Sequence, residues 1–434
     1  MTTPDIATRM GLPRFNASAI APGKEFDMVT VGIDIGKEKH AAAAIGAAGE
    51  VLMPPRFFDQ NAQGFAALLA QLRKLGRPSG IRIGMEATGR YWIPLRHALA
   101  EQGYRVESVN PLITSAEIAK DVRGRKTDKA DALAIATALL RNRHNPAPAE
   151  DAATDALKSL TRHRTFLVRQ RSNAKRCLHA SLDVTFPEAG KAFGRIFSAT
   201  ALAVLEAFPS ARLLSGANLK TLTAIVSKAS RGRLGAERAR SFRDAARASV
   251  SAGIVNEGDE AALVSLIAQI RFADSQIESA EEKIRAMPAP KAAALLASVK
   301  GLGTLLPRVI ACEIGDMERF RHPPSGKPPR DMDKRILAFA GCEPRLRESG
   351  KWKGRTKISK RGSPALRTAL WQASAMCRLH NPLFAAVYER QTARGKPHSV
   401  ALFYVARKLV EVMCGMYKTD MPFSLQTAGA TTCQ

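Results

Sequence analysis

The 434-residue chain reads as a mixed α/β domain, followed by a region of long helices and then a mostly α-helical C-terminal unit. Three observations predict this. Strand-like runs ending in Gly turns come first and then alternate with helical segments, the pattern of a layered α/β sheet. Two apolar seams of heptad spacing lie between Leu157 and Met287. Beyond the break "PAPK" at Pro288 the chain reads as mostly helical. One hydrophobic core rarely serves so long a chain. The expected division is a loose arm over 1–25, an α/β domain over 26–148, a long-helix region over 149–290, a C-terminal unit over 291–420, and a disordered tail over 421–434.

Each element has its own signal. "DMVTVGIDIG" is a buried strand closed by a Gly turn, and "HAAAAIGAAGEVLMPPRFF" is a pair of strands around Gly49. Asn61 to Leu75 has helical apolar spacing. "IRIGMEATG" is a second strand ending in Gly, "YWIPLRHALAEQG" a helix stopped by Gly103, and "YRVESVN" a third strand of this alternating set. A helix beginning near Asp128 carries "DKADALAIATALLRN". Between Ala156 and Leu182 there are seven Lys/Arg and no acid, with Leu157, Leu160, Leu167, Ala174 and Leu178 on a seam that Arg164 and Arg171 interrupt. A second, acidic helix repeats the spacing through Leu263, Leu266, Ile270, Ala273, Ile277, Ala280, Ile284 and Met287. The matching seams predict an antiparallel coiled coil, a dimer interface, or two helices of a local bundle. Lys191 to Val255 reads as a helical insert with a basic tip, and Arg321 to Lys334 as a Pro-rich charged loop.

The charge balance narrows the partners. Lys+Arg number 66 against 39 Asp+Glu, a net charge of +27 and a pI near 10.3. A field of that sign attracts polyanions and releases their counterions, so nucleic acid leads and an anionic membrane surface is the competitor. No apolar run is long enough to span a bilayer, and the N-terminal stretch has no secretion signal. Cys177, Cys312, Cys342, Cys377, Cys414 and Cys433 are scattered without C-x-x-C or His at ligand spacing, which fits a reducing, cytoplasmic setting.

Four acids of the first domain stand out. Asp34 ends a strand, and Glu86 holds the same position on another. Asp128 and Asp131 lie one helical turn apart and share a face. Singly, each has an ordinary explanation: a turn residue, a favourable charge at a helix N-terminus, a solvated face. Brought together they would need cations, and hard oxygen ligands select Mg²⁺, with Mn²⁺ the alternative. Two such ions would suit phosphodiester chemistry.

A second concentration is "RLRESGKWKGRTKISKRG", which sets Ser349 among eight Lys/Arg and one Glu. A solvated basic loop explains this cheaply. The alternative is a loop that grips phosphate around a hydroxyl, with Gly350 and Gly354 allowing close approach and Trp352 either stacking on a base or packing.

At these residues the chain resembles a known family. "GIDIGKEKH", "MEATGRYWIPL", "NPL" at Asn110 and "KTDKADALAIA" look like the RuvC-like (RNase H-type) DEDD domain of the insertion-sequence one-ten transposases, DEDD-type recombinases guided by a bridge RNA. "SVKGLGTLLPRVIACEIGD" and "LAFAGCEPRLRESGKWKGRTKISKRGSPALRTALWQAS" resemble that family's C-terminal serine transposase domain. The resemblance runs from about Val29 to Pro422. It implies metal-binding acids at Asp34, Glu86, Asp128 and Asp131 and a nucleophilic serine at Ser349. It also implies donor and target DNA and a noncoding guide RNA as partners, and a homo-oligomer, dimer or tetramer, whose composite sites join two subunits. A bacterial, nucleoid-associated place of action follows from the same likeness. The Pro-rich loop, Cys342 and the long helical insert depart from the family pattern.

Within that frame Arg345, Arg347 and Lys351 are expected to neutralise transition-state charge. Lys353, Arg355, Lys357, Lys360 and Arg361 are expected to hold backbone phosphates. Ser359 and Ser363 are the fallback hydroxyls, with Ser363 expected to cap the helix starting at Pro364. "GLG" at Gly301 to Gly303 offers backbone N–H groups to a phosphate. The acid-free helix is the candidate RNA contact. Two rivals remain: a two-metal, structure-selective nuclease in which water attacks, and a non-catalytic nucleic-acid scaffold.

Overall fold

The computed structural model describes residues 28–86, 91–109, 114, 115, 117, 127–141, 152–251, 255–321, 332–345, 348, 349, 352, 353 and 357–424. The arm over 1–25, "NPL" at Asn110, most of the Pro-rich loop and the tail beyond residue 424 lie outside them.

Strands β1 (Val29–Asp34), β2 (Lys39–Ile45), β3 (Val51–Asp59), β4 (Ile81–Glu86) and β5 (Arg105–Val109) form one sheet in the order β3-β2-β1-β4-β5. The β1–β2 and β2–β3 pairs are antiparallel, whereas β4 lies parallel to both β1 and β5. Strand alternation decides what each face carries. Val29, Val31 and Ile33 of β1 and Ile81, Ile83 and Met85 of β4 bury on one side. There they meet Phe65, Leu68 and Leu72 of helix α1 (Ala62–Leu75) and Leu95 and Leu99 of α2 (Trp92–Glu101). Asn61 starts α1 by accepting the Gly64 N–H at 2.8 Å.

The opposite face is covered by α3 (Asp128–Leu140), and glycine makes room for it. Gly32 and Gly84 sit side by side in the β1–β4 register. A Cβ on Gly32 would lie 2.1 Å from the Ala132 carbonyl oxygen, and one on Gly84 would lie 3.2 Å from both Ile135 Cγ2 and Leu139 Cδ2. Ala41 and Ala43 complete the contact with Ala132. The helix therefore rests almost directly on the sheet backbone.

Helix α4 (Ala152–Thr185) follows. The expected insert is five short helices: α5 (Ala189–Phe193), α6 (Ala199–Ala207), α7 (Ala211–Ser215), α8 (Leu219–Ser230) and α9 (Ala236–Arg247). They pack around Phe186, Leu205, Val226 and Phe242. Helix α10 (Glu257–Ala286) returns alongside α4. Leu157 near the start of α4 packs on Ile284 near the end of α10, while Leu178 packs with Leu263, Ile267 and Ile270, so the two run antiparallel. The arginines that interrupt the seam find acids across it: Arg164 reaches Glu281 and Arg171 reaches Asp274, each at 2.6 Å.

The C-terminal unit holds α11 (Lys291–Ala297), α12 (Leu305–Ile314), α13 (Met332–Phe339), four two-residue strands, and then α14 (Pro364–His380), α15 (Pro382–Ala393) and α16 (His398–Thr419). Its core includes Leu296, Ile310, Ile336, Leu370, Phe384 and Leu409. The loop expected to reach Lys334 ends earlier, because Met332 is buried against this core and α13 has begun. Gly301 of "GLG" makes a packing contact: a Cβ there would lie 3.0 Å from the Met376 carbonyl oxygen and from His380 Cβ. Among the described residues no helix is long and apolar enough to cross a membrane.

Candidate active site

The sheet register brings two of the four acids to one edge. Ile33 pairs with Met85, so Asp34 and Glu86 leave adjacent parallel strands at the same level. Both follow a glycine at two residues' distance, and both share its α3-covered face. Helix α3 starts beside them. Thr127 caps it by accepting the Ala130 N–H at 3.2 Å, which places Asp128 and Asp131 in its first turn.

The electrostatics follow from this convergence. Asp34 has its pKa pushed up from 3.8 to about 6, first by burial and then by the negative charges of Asp131, Asp128 and Glu86. A hydrogen bond from the Ile35 backbone opposes the rise. Asp34, Glu86 and Asp131 are partly buried, and Asp128 is exposed. Among the described residues no group of three or more His, Cys, Asp or Glu side chains is arranged to hold a metal ion as it stands. The four carboxylates are thus neighbours that feel one another without forming a closed ligand cage. Their chemistry nonetheless fits one kind of guest: oxygen donors only, with surplus negative charge, suit a hard divalent cation.

Behind the acid pocket lies a group that sequence reasoning did not single out. His40 is 1% exposed, with its ring 5.0 Å from that of Phe58 and 6.3 Å from that of Phe65. Its Nδ1 accepts the Gly36 N–H at 3.3 Å, and its Nε2 faces Gln60 Oε1. The first contact requires an unprotonated Nδ1, so Nε2 carries the proton and donates it to Gln60. Burial lowers the His40 pKa, which keeps the ring neutral. Gln60 in turn donates through Nε2 to the Tyr91 carbonyl at 2.9 Å. A lone histidine beginning the otherwise apolar "HAAAAI" was the available signal.

Ser349 occupies a separate ribbon. Pro344–Arg345 (β6) pairs with Lys357–Ile358 (β9), and Glu348–Ser349 (β7) pairs with Trp352–Lys353 (β8), both antiparallel. Ser349 lies opposite Trp352 in the register. Arg345 lies on β6, Lys353 on β8 and Lys357 on β9, while Arg347, Lys351 and Arg355 fall outside the described residues. Lys360 and Arg361 are exposed just past β9. Neither strand pair joins the five-stranded sheet.

The ribbon's base is firmly held. Gly362, at φ 152, leaves no room for a Cβ, which would lie 2.3 Å from the Phe339 carbonyl oxygen. Ser363 caps α14 through the Leu366 N–H at 3.2 Å and donates to Glu313 Oε2 at 3.1 Å. Glu313, 1% exposed, also accepts Arg162 of α4 at 2.6 and 2.9 Å. Ser359 accepts the Arg361 N–H at 3.2 Å. Both fallback hydroxyls are therefore engaged in local structure. Burial pushes Cys312 and Cys342 up to about 11 and Cys377 and Cys414 up to about 12, so these thiols stay protonated.

Comparisons with known proteins match two separate parts of the chain. A family model described as a transposase of the DEDD, IS110 type matches residues 31–187, and so contains all four acids. A second, described as a transposase of the IS116/IS110/IS902 family, matches residues 293–389 and contains Ser349. The chain is 24% identical over 408 residues to the "Insertion element IS116 uncharacterized 44.8 kDa protein" of Streptomyces clavuligerus, covering 92% of this chain and 96% of that one. It is 24% identical over 409 residues to the "Insertion element IS900 uncharacterized 42 kDa protein" of Mycobacterium paratuberculosis, covering 93% and 98%. It is also 25% identical over 171 residues to the "Insertion element IS110 uncharacterized 43.6 kDa protein" of Streptomyces coelicolor, covering 38% and 40%.

Proposed function

The chain belongs to the IS110 family of insertion-sequence transposases, and on that premise we propose that it cuts and rejoins DNA through a phosphoserine link on Ser349. Asp34, Glu86, Asp128 and Asp131 would hold one or two divalent ions, Mg²⁺ or Mn²⁺. When bound, such ions supply charge neutralisation at a phosphodiester and acidify a coordinated hydroxyl. The observation that carries this reading is the convergence of four carboxylates at the C-terminal ends of β1 and β4, where burial first and then the charges of Asp131, Asp128 and Glu86 push Asp34 up to about 6.

The Ser349 hydroxyl attacks phosphorus and loses its proton. A new P–O bond to serine forms, the P–O3′ bond breaks, and a 3′-hydroxyl leaves. The ester preserves the bond energy, so attack by another strand's 3′-hydroxyl reverses the step without ATP. Arg345, Arg347 and Lys351 offset the extra charge of the pentavalent transition state. Lys353, Arg355, Lys357, Lys360 and Arg361 position the backbone. Donor and target DNA are brought together under a noncoding guide RNA, with the acid-free stretch Ala156 to Leu182 of α4 as its contact. The working unit is a dimer or tetramer in which the acid pocket of one subunit serves the serine of another.

The test is an adduct assay with end-labelled DNA bearing the element's ends. Wild type forms a covalent protein–DNA species that Ser349→Ala and Asp34→Ala both lose. Free 5′-phosphate ends with a fully active Ser349→Ala would instead make this a water-using, two-metal nuclease. Undiminished biological activity of Asp34→Ala would make the acids structural.

A further inference from the structure

The acid pocket is only as well ordered as the turns that carry its members. Asp34 opens the turn between β1 and β2, and Glu86 ends β4 just before the segment leading to Tyr91 and α2. The first turn is very tight: a Cβ on Gly36 would lie 2.2 Å from the Lys39 carbonyl oxygen. Among the described residues the β1–β4 ladder runs as far as Ile33 with Met85, one residue short of the two acids.

We propose that His40 and Gln60 are positioning residues for the acid pocket, tying the turn after Asp34 to the chain after Glu86. The connection is continuous. The Gly36 N–H donates to His40 Nδ1, His40 Nε2–H donates to Gln60 Oε1, and Gln60 Nε2 donates to the Tyr91 carbonyl. Gln60 is also fixed from its own backbone, whose N–H donates to the Glu38 carbonyl at 2.8 Å. His40 lies on the Phe58 and Phe65 side of the sheet, opposite α3, so it supports the pocket from the other face of the sheet. Packing alone would be served as well by an apolar ring. An imidazole with both nitrogens engaged specifies which way the Gly36 amide points, and hence how Asp34 enters its turn. Partners at one remove from a metal commonly set affinity by orienting the ligands.

This inference rests on the reading of the four acids as a cation pocket, and its test separates the two. The probe is Mn²⁺ alone, titrated into the full-length protein and followed by electron paramagnetic resonance of the free ion. Asp34→Asn identifies the sites that belong to the pocket. Two variants cut the relay while keeping the fold: His40→Phe, which retains the ring packing, and Gln60→Leu, at a half-exposed position. Each is expected to raise the Mn²⁺ dissociation constant about tenfold while the thermal transition stays close to that of wild type. A residue that only packs would not move that constant. Binding within about twofold of wild type in both folded variants overturns the positioning role and leaves the pocket standing. Failure of wild type itself to bind Mn²⁺ overturns the pocket, and the positioning role falls with it.

Discussion

Replacing Asp34 by Asn should stabilise the metal-free protein and abolish its response to metal. The difference between 3.8 and about 6 corresponds to about 3 kcal/mol of unfavourable free energy for the ionised carboxylate in the fold. Asp34 is only partly buried, and solvent screening brings the usable figure to about 1–2 kcal/mol. The sign has a pH window. Because the folded value lies above the unfolded one, protonation favours the fold, fully below about 3.8, and this contribution is lost as pH rises through about 6. At pH 7.5 with a chelator, Asp34→Asn should raise the melting transition of the sheet domain by roughly 2–6 °C. At pH 5 the gain should shrink, because wild type then carries the proton. Added Mn²⁺ should stabilise wild type and leave the variant unmoved. A variant that melts below wild type at pH 7.5, or that keeps the same advantage at pH 5, would refute the argument from burial and carboxylate crowding.

Gly32→Ala would press a methyl into the α3 backbone and should cost about 1–3 kcal/mol in chemical denaturation. It should also weaken Mn²⁺ binding, because Asp128 and Asp131 move with the helix. Arg162→Ala leaves the buried Glu313 carboxylate short of its two shortest hydrogen bonds and should cost about 2 kcal/mol, read as a lower denaturation midpoint. His40 has a pKa below its ordinary 6.5, so wild type should lose stability as pH falls below that value. His40→Phe removes this loss, and its stability relative to wild type should rise between pH 7.5 and pH 5.

Much of this arrangement was legible because it follows from short-range rules. Alternation and Gly turns located the strands that end in Asp34 and Glu86, and one helical turn joined Asp128 to Asp131. Heptad spacing located both long helices, and the Ser-Pro pair located the cap of α14. What stayed hidden depends on partners far apart in the chain. Arg164 and Arg171 looked like faults in a seam, and only the antiparallel neighbour supplies Glu281 and Asp274. Arg162 reaches Glu313 across 151 positions. His40 shows its role only once Gln60 and Tyr91 are folded beside it. The glycines that admit α3, Gly32 and Gly84, carry a pattern visible in retrospect, Gly-x-Asp and Gly-x-Glu on neighbouring strands.

The 34 residues of α4 span about 50 Å, and α10 braces nearly the whole of that length. Mechanically the pair is a boom, mounted where Thr161 and Arg162 meet Cys312 and Glu313, and loaded at its far end by the five-helix insert. From that mount about 36 Å of helix runs to the tip, so a tilt of about 5° sweeps the tip through about 3 Å, more than a hydrogen bond tolerates. Whatever grips the insert therefore has leverage on the foot of the serine ribbon, through Arg162, Glu313 and Ser363.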